Sequence, residues 1–528
     1  MQPPLVREAT EFDLPGLQAL AGVPALTRLR RLARRLHLAF HGRTGQTTVW
    51  HINSSAAGGG VADILSFLVP FSTEVGVATR WLVIGGDEGF FQTTKAFHNA
   101  LQGNPGVEIT EQMLAHYQRI VTANAQTLEE LIRQQEWSPP DVIVFHDPQP
   151  AGLIAHWRAR FPDALFVWRG HVQFDVPAMT AASHPGRRVW ELLLGYVNQC
   201  DAAIFHLPEQ VPPGVTVPIR CFLPSINPSG YLNRDLTGPA GQRFIQSTLE
   251  KYQMGELQDG SIPLVAQVGR FDPWKDPLGV IQAYQEALER TSRNGKSPHL
   301  LLAGPLAEDD PEAWRILAQI HQAVNGNGQV HILPLSPKQI APTPEQVEAL
   351  GALGMDPRLL RPEHLVDLEL NAFQTRADVI IAKSIREGFG LAVTGAGYHG
   401  KPRIVSQVGG LPVQVIDGQG RVHACLVGGT PHFTREASIS MTRDCLIELL
   451  SSPRLRTSMG TGARRHVIRA FLPHRHLEDY FALFLELRSH HAEVAGTNGR
   501  PRQFGRAAPP QIAGIPEPPT TSATPASR

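Results

Sequence analysis

Residues 47–76, TTVWHINSSAAGGGVADILSFLVPFSTEVG, decide the fold. TTVWHIN is rich in β-branched and aromatic residues and reads as a strand. The small-residue loop SSAAGGG follows, and a helix is predicted from Val61. Glycines let the backbone come close to a ligand, and a helix start presents free N–H groups that suit phosphate. Gly58, Gly59 and Gly60 are therefore candidate ligand-bordering residues, although a triple glycine alone fits a tight turn equally well.

The same alternation continues outward. ATRWLVIGG (78–86), DVIVFHD (141–147), ALFVWRGH (164–171) and AAIFHL (202–207) are short apolar runs separated by helical stretches. This is the pattern of a parallel sheet covered on both faces. A second series starts near residue 261: PLVAQVGRF, HLLLAGPL, QVHILPL, ADVIIAKS, PRIVSQVGG and ACLVGG. The fold class is therefore α/β, with two doubly wound halves facing across a cleft, and ligands belong at the carboxyl ends of the strands. The domain limits read as 1–45 for a helical extension, 46–225 for the first half and 226–473 for the second, with an insertion at 336–366. The extension holds ALTRLRRLARRLHLAF, whose Leu26, Leu29, Leu32 and Leu36 recur at helical spacing; it reads as a helix packed through its leucines, with a membrane-surface or partner helix as the alternative. Residues 491–528 are rich in Pro, Ser and Thr and are expected to be disordered.

Composition narrows the function. The chain has 528 residues, with 48 Lys plus Arg against 48 Asp plus Glu, so no global charge favours nucleic acid as a partner. No apolar run reaches the length of a membrane span, and the first residues lack a secretory h-region. The four cysteines are scattered without a C-x-x-C pair, as in a reducing compartment. A soluble, cytoplasmic protein is expected.

Three further stretches carry chemistry. In VGRFDPWKDP (268–277), Arg270 and Lys275 follow a strand and can neutralise a diphosphate without a metal. In KSIREGFG (383–390), Glu387 also sits just past a strand; its carboxylate can accept two sugar hydroxyls, with a helix-capping acid as the alternative. His146 and His171 end two strands of the first half and are expected to face the cleft.

Together VWHINSSAAGGGVADIL, FFQTTKAFHNALQG, FHDPQP, VWRGH, PSINP, GRFDPWKDP and KSIREGFGLAVT resemble the glycosyl-transferring trehalose synthases and trehalose phosphorylases, a branch of the retaining glycosyltransferases of family 4. The resemblance spans roughly residues 45–485. It implies a GT-B architecture, with residues 474–490 crossing back onto the first domain. It implies glucosyl transfer between a nucleoside diphosphate glucose and glucose, making or cleaving α,α-trehalose, with no metal, no cofactor and a homodimeric state. Arg270 and Lys275 would bind the donor diphosphate and Glu387 the donor sugar, beside Gly388, Phe389, Gly390 and Leu391. The loop Gly58, Gly59 and Gly60 would border the phosphates. His171 would lie against the reacting sugar, and His146, Asp147 and Gln149 would line the acceptor side. Retention without an evident nucleophile points to front-face attack, with the leaving phosphate taking the acceptor's proton.

One position departs from the pattern. The family's second glutamate should stand at 395, where this chain has Gly395. Loss of its charged hydrogen bond to the donor's ribose would cost about 1.5–3 kcal/mol. A phosphorylase, which needs no ribose anchor, and a sugar- or nucleotide-sensing protein are therefore kept beside the transferase.

Overall fold

The computed structural model describes residues 3–7, 12–42, 45–56, 59–291, 297–306, 311–429 and 433–496. Gly58 and residues 497–528, most of the segment expected to be disordered, lie outside them.

The first sheet contains β1 (Leu5–Arg7), β2 (Thr48–Asn53), β3 (Ala78–Val83), β4 (Val142–His146), β5 (Leu165–Arg169), β6 (Ala202–Phe205) and β7 (Ile219–Cys221). Their spatial order is β1-β3-β2-β4-β5-β6-β7. All pairings are parallel except the edge strand β1, which runs antiparallel to β3. The second sheet contains β8 (Leu264–Val268), β9 (His299–Pro305), β10 (Val330–Leu335), β11 (Val379–Ala382), β12 (Arg403–Ser406) and β13 (Cys425–Val427). Its order is β10-β9-β8-β11-β12-β13, all parallel. Among the parallel strands each order reverses direction once, and both sheets turn their carboxyl ends towards the cleft, where ligands bind in such folds.

Side chains alternate along each strand, so each sheet has two cores. Trp50, Phe145, Trp168 and Phe205 pack on one face of the first sheet. Val49, Val144, Val167 and Ile204 pack on the other. That second face is covered by the helix Pro473–Gly496, which brings Tyr480, Phe481 and Phe484 back from the far end of the chain. This helix continues through 491–496, residues read as tail from composition. The basic helix Val23–His41 joins the same core through Leu26, Leu29 and Leu36 and leaves its arginines outward. Among the described residues no helix is long and apolar enough to cross a membrane.

One glycine holds the loop after β8 against the sheet. A Cβ on Gly304, in β9, would lie 1.8 Å from the carbonyl oxygen of Gly269, just past β8. The backbone of one strand end thus occupies the space where its neighbour has no side chain. Gly304→Ala is expected to lower stability by about 1–3 kcal/mol by forcing the loop that carries Arg270 to move, measured by denaturant unfolding.

Candidate active site

Gly269, Arg270, Lys275, Ser384, Glu387 and Gly390 line a cleft at the carboxyl ends of β8 and β11. Lys275 is fixed by a short turn: Asp272 caps it by accepting from the Trp274 N–H at 2.8 Å, and Gln267 Nε2 donates to the Lys275 carbonyl at 2.7 Å. The Lys275 ammonium is ion-paired with the Glu387 carboxylate. Ser384 Oγ donates to the same Glu387 oxygen at 3.2 Å. Arg270 extends into the open, its side chain 70% exposed and 3.5 Å from Asp272. Glu387 stands more than a hundred residues from Arg270 and Lys275 in the sequence; the fold gathers all three at one cleft.

Gly390 takes φ of 85°, the left-handed conformation, to start the helix Leu391–Tyr398. A Cβ on Gly60 would lie 3.7 Å from Leu391 Cδ1, so the glycine loop of the first domain meets this helix across the cleft. Phe389 does not face the donor space. Its ring is buried with Leu207, Val413, Val467 and Phe471, and its carbonyl accepts from Gln414. The expectation of a donor contact there is corrected at the level of the side chain.

The acceptor-side expectations need a larger correction. His146 is 1% exposed, and both its nitrogens are engaged. Its Nε2 is 2.9 Å from His51 Nδ1, and its Nδ1 is 2.9 Å from His171 Nε2. It therefore stands behind His171 rather than beside an acceptor. Asp147 is also buried, at φ of 66°, and accepts from the His171 N–H at 2.6 Å. It shapes the turn that carries His171. Gln149 is only half-buried and contacts His98 Nε2 at 3.2 Å.

His51 and His206 were missed from the sequence. Register shows how they could have been found. His51 pairs with Val144, two residues before His146, and His146 pairs with Arg169. A period of two then sets His51, His146, Arg169 and His206 on the face that carries Val49, Val144, Val167 and Ile204. The His206 ring sits edge-on to His171 and to Phe389, with centroids 5.4 Å and 5.9 Å away. Burial holds His51 and His206 down at about 3, with the nearby Arg169 guanidinium adding to the effect. The same two causes lead in His171, while His146 adds the neighbouring His51; both titrate well below the usual imidazole range. All four rings are neutral at pH 7.

The two domains are clasped beside the Lys275–Glu387 pair. The Glu387 N–H donates to Gln173 Oε1 at 2.9 Å. Arg386 reaches the Gln102 carbonyl, lies 3.7 Å from Asp175 and stacks over Trp274 at 4.9 Å.

At Gly395 the space for a side chain is taken. A Cβ there would lie 2.7 Å from Asn233 Oδ1 and 3.4 Å from Gln374 Oε1. Both amides are buried, and Asn233 Oδ1 and both polar atoms of Gln374 have no protein partner. Neutral amides stand where a carboxylate was expected. Among the described residues, one group has metal-ligand spacing: Glu256, His299 and His331, with ligand atoms within 4.8 Å of one another. It lies at the amino ends of β9 and β10, the edge away from the cleft.

Comparison with known proteins agrees with this arrangement. The family described as trehalose synthase, N-terminal domain, matches residues 51–212, and glycosyl transferases group 1 matches residues 363–466. Trehalose synthase of Pyrococcus horikoshii is 34% identical over 92% of this chain and 100% of its own length. The chain belongs to the trehalose synthase family of glycosyltransferases. Trehalose synthase of Rubrobacter xylanophilus is 34% identical over 90% of the chain and 98% of its own length. Trehalose phosphorylase of Pleurotus pulmonarius is 27% identical over 82% of the chain but only 56% of its own length. The E. coli trehalose-6-phosphate structure bound with UDP-2-fluoro glucose superposes with a TM-score of 0.61 at 13% identity, covering 83% of this chain and 99% of that one. The architecture is GT-B, and this family member is a hexosyltransferase acting in trehalose-related glycosyl transfer.

The buried histidines set an acid limit on stability. Their folded pKa values lie below the unfolded value of 6.5, so unfolding takes up protons as pH falls from about 6.5 towards 3. Stability is expected to fall across that window, each histidine contributing a slope of about 1.4 kcal/mol per pH unit. His206→Phe is expected to flatten the slope by one histidine's share, read from urea unfolding at stepped pH.

Proposed function

We propose that this protein transfers glucose, with retention, between a nucleoside diphosphate and glucose, making or cleaving α,α-trehalose. The observation that carries this reading is the Lys275–Glu387 ion pair beside the exposed Arg270. A carboxylate held by a lysine is oriented, ready to accept hydroxyls of a sugar. The lysine and Arg270 together place two cations where a departing diphosphate would gather charge, the stabilisation that counts most when no nucleophile is present.

In this reading the sugar lies between Glu387 and His171, with the glycine loop and Leu391 above the phosphates. The diphosphate oxygen released from the anomeric carbon takes the proton of the attacking hydroxyl on the same face. Closure of Gln173 and Arg386 onto the opposite domain holds the partners in attacking distance. The uncharged Asn233 and Gln374 amides fill the space that a side chain at 395 would occupy. They supply no charge, so donor affinity weaker by roughly ten- to a hundredfold follows from replacing a charged hydrogen bond of 1.5–3 kcal/mol.

Gly395 also favours a second reading, a phosphorylase in which inorganic phosphate alone occupies the donor side. One assay separates the two. Purified protein is incubated with trehalose and either a panel of nucleoside diphosphates or phosphate, and the glucosyl products are identified. Nucleoside diphosphate glucose is expected. Glucose 1-phosphate alone would replace the proposal with the phosphorylase, and no product with retained sugar binding would replace it with a sensing role. In the productive reaction, Lys275→Met is expected to lower kcat by roughly 10²–10³, the effect of removing one stabiliser of transition-state charge.

A further inference from the structure

Glu256, His299 and His331 meet at the edge of the second sheet away from the cleft, and glucosyl transfer makes no use of them. His299 opens β9, and His331 is the second residue of β10. His331 pairs in register with Leu301, two residues on from His299, so both imidazoles stand on the same face of the sheet. Their rings stack at 5.2 Å with an interplanar angle of 21°, and His299 Nδ1 is 2.9 Å from His331 Nε2. Glu256 comes to the same point from the short turn Gly255–Leu257. The turn is pinned by Leu257, which is fully buried with Leu264 and Leu301 and whose carbonyl accepts from Arg376 Nε at 2.6 Å. Glu256 Oε1 is 3.7 Å from His299 Nδ1, and the three ligand atoms lie within 4.8 Å of one another.

A hydrogen bond between two imidazoles accounts for the 2.9 Å contact but not for the carboxylate, which is too far from Nδ1 to accept from it. A metal ion accounts for all three groups. An ion bound tetrahedrally by imidazole and carboxylate at about 2.0–2.2 Å holds its ligand atoms about 3.3–3.6 Å apart. The observed 2.9 Å and 3.7 Å fall on either side of that spacing. Closing onto an ion asks most of the Glu256 side chain, which is 50% exposed and able to swing, and little of His299, at 11%. Burial holds His331 down at about 4 and lowers His299 as well, so at pH 7 both are neutral imidazoles with a lone pair to give. The hydrogen shared between them moves to the far nitrogen of its own ring when both lone pairs turn to a cation. Two nitrogens and one carboxylate oxygen select a borderline ion of the zinc type over Ca²⁺ and Mg²⁺, which take oxygen ligands.

We propose that Glu256, His299 and His331 form a structural site for one zinc-type divalent ion, held by Glu256 Oε1, His299 Nδ1 and His331 Nε2, with water completing the tetrahedron. The ion ties the turn before β8 to the amino ends of β9 and β10. Arg270 and Lys275 stand at the opposite, carboxyl edge of the same sheet, so the ion touches neither of them. The site stands independently of the transferase reading.

The test uses the full chain, stripped with a chelator and returned to metal-free buffer. Titration with Co²⁺ is expected to give the visible d–d bands of a four- or five-coordinate ion, and calorimetry with Zn²⁺ is expected to show specific binding to this site. Zn²⁺ at about 100 times its Kd is expected to raise the melting temperature by several degrees, because the folded chain alone assembles the three ligands. Glu256→Gln changes an exposed side chain and leaves the core intact. It is expected to weaken Zn²⁺ binding by more than the roughly tenfold that loss of a group one shell further out costs. His331→Gln is expected to abolish the cobalt bands. The chain has 22 histidines, so the variants also distinguish this site from any other. Absence of binding to the stripped wild type overturns the proposal, and so does binding that Glu256→Gln or His331→Gln leaves unchanged.

Discussion

The structure is organised around one buried guanidinium. Arg169 is fully buried and is hydrogen-bonded by neutral groups: a tyrosine hydroxyl, an imidazole and a backbone carbonyl. Leaving such a charge without partners would cost several kcal/mol, so the groups that satisfy it are held firmly. Two of them, His476 and Tyr480, belong to the helix that returns from the end of the chain. The arginine thus ties the first and last thirds of the sequence together at the carboxyl edge of the first sheet. Ser225, in the segment that leaves for the second domain, contacts the same His476 at 2.9 Å.

The charge also governs the chemistry beside it. Burial alone disfavours imidazolium, and a guanidinium nearby disfavours it further. A cluster of histidines would ordinarily straddle its ionisation near neutral pH. Here the rings stay neutral and serve as hydrogen-bonding groups, while the opposite wall carries the exposed Arg270 and the Lys275–Glu387 ion pair. The cleft therefore meets neutral rings on one side and a guanidinium beside an ion pair on the other.

Much of this was legible in the sequence, for definite reasons. Eleven strand segments announced themselves because parallel strands buried on both faces are continuous apolar runs. Arg270, Lys275 and Glu387 could be named because each follows such a run, and position at a strand's carboxyl end survives any error in its exact boundary. The edge strands β1 and β7 are three residues long and too brief to show a period. His146 was misread because its place at a strand end was visible but the ring between it and the cleft was not. Phe389 was misread because its neighbours in the apolar cluster come from residues as distant as Leu207 and Phe471. Gly395 was legible as a departure, but Asn233 and Gln374, which meet it from a loop and another helix, depend on tertiary packing.

The clasp beside Glu387 has a mechanical consequence. The backbone of Glu387 is bonded to Gln173 on one domain, while its side chain is paired with Lys275 on the other. Arg386, the preceding residue, grips the first domain as well. Hinge opening that separates Gln173 from Glu387 must pull on the same peptide that aims the carboxylate. Parting the domains and turning that carboxylate out of line are then one movement, with no intermediate posture in which an open cleft keeps its carboxylate aimed.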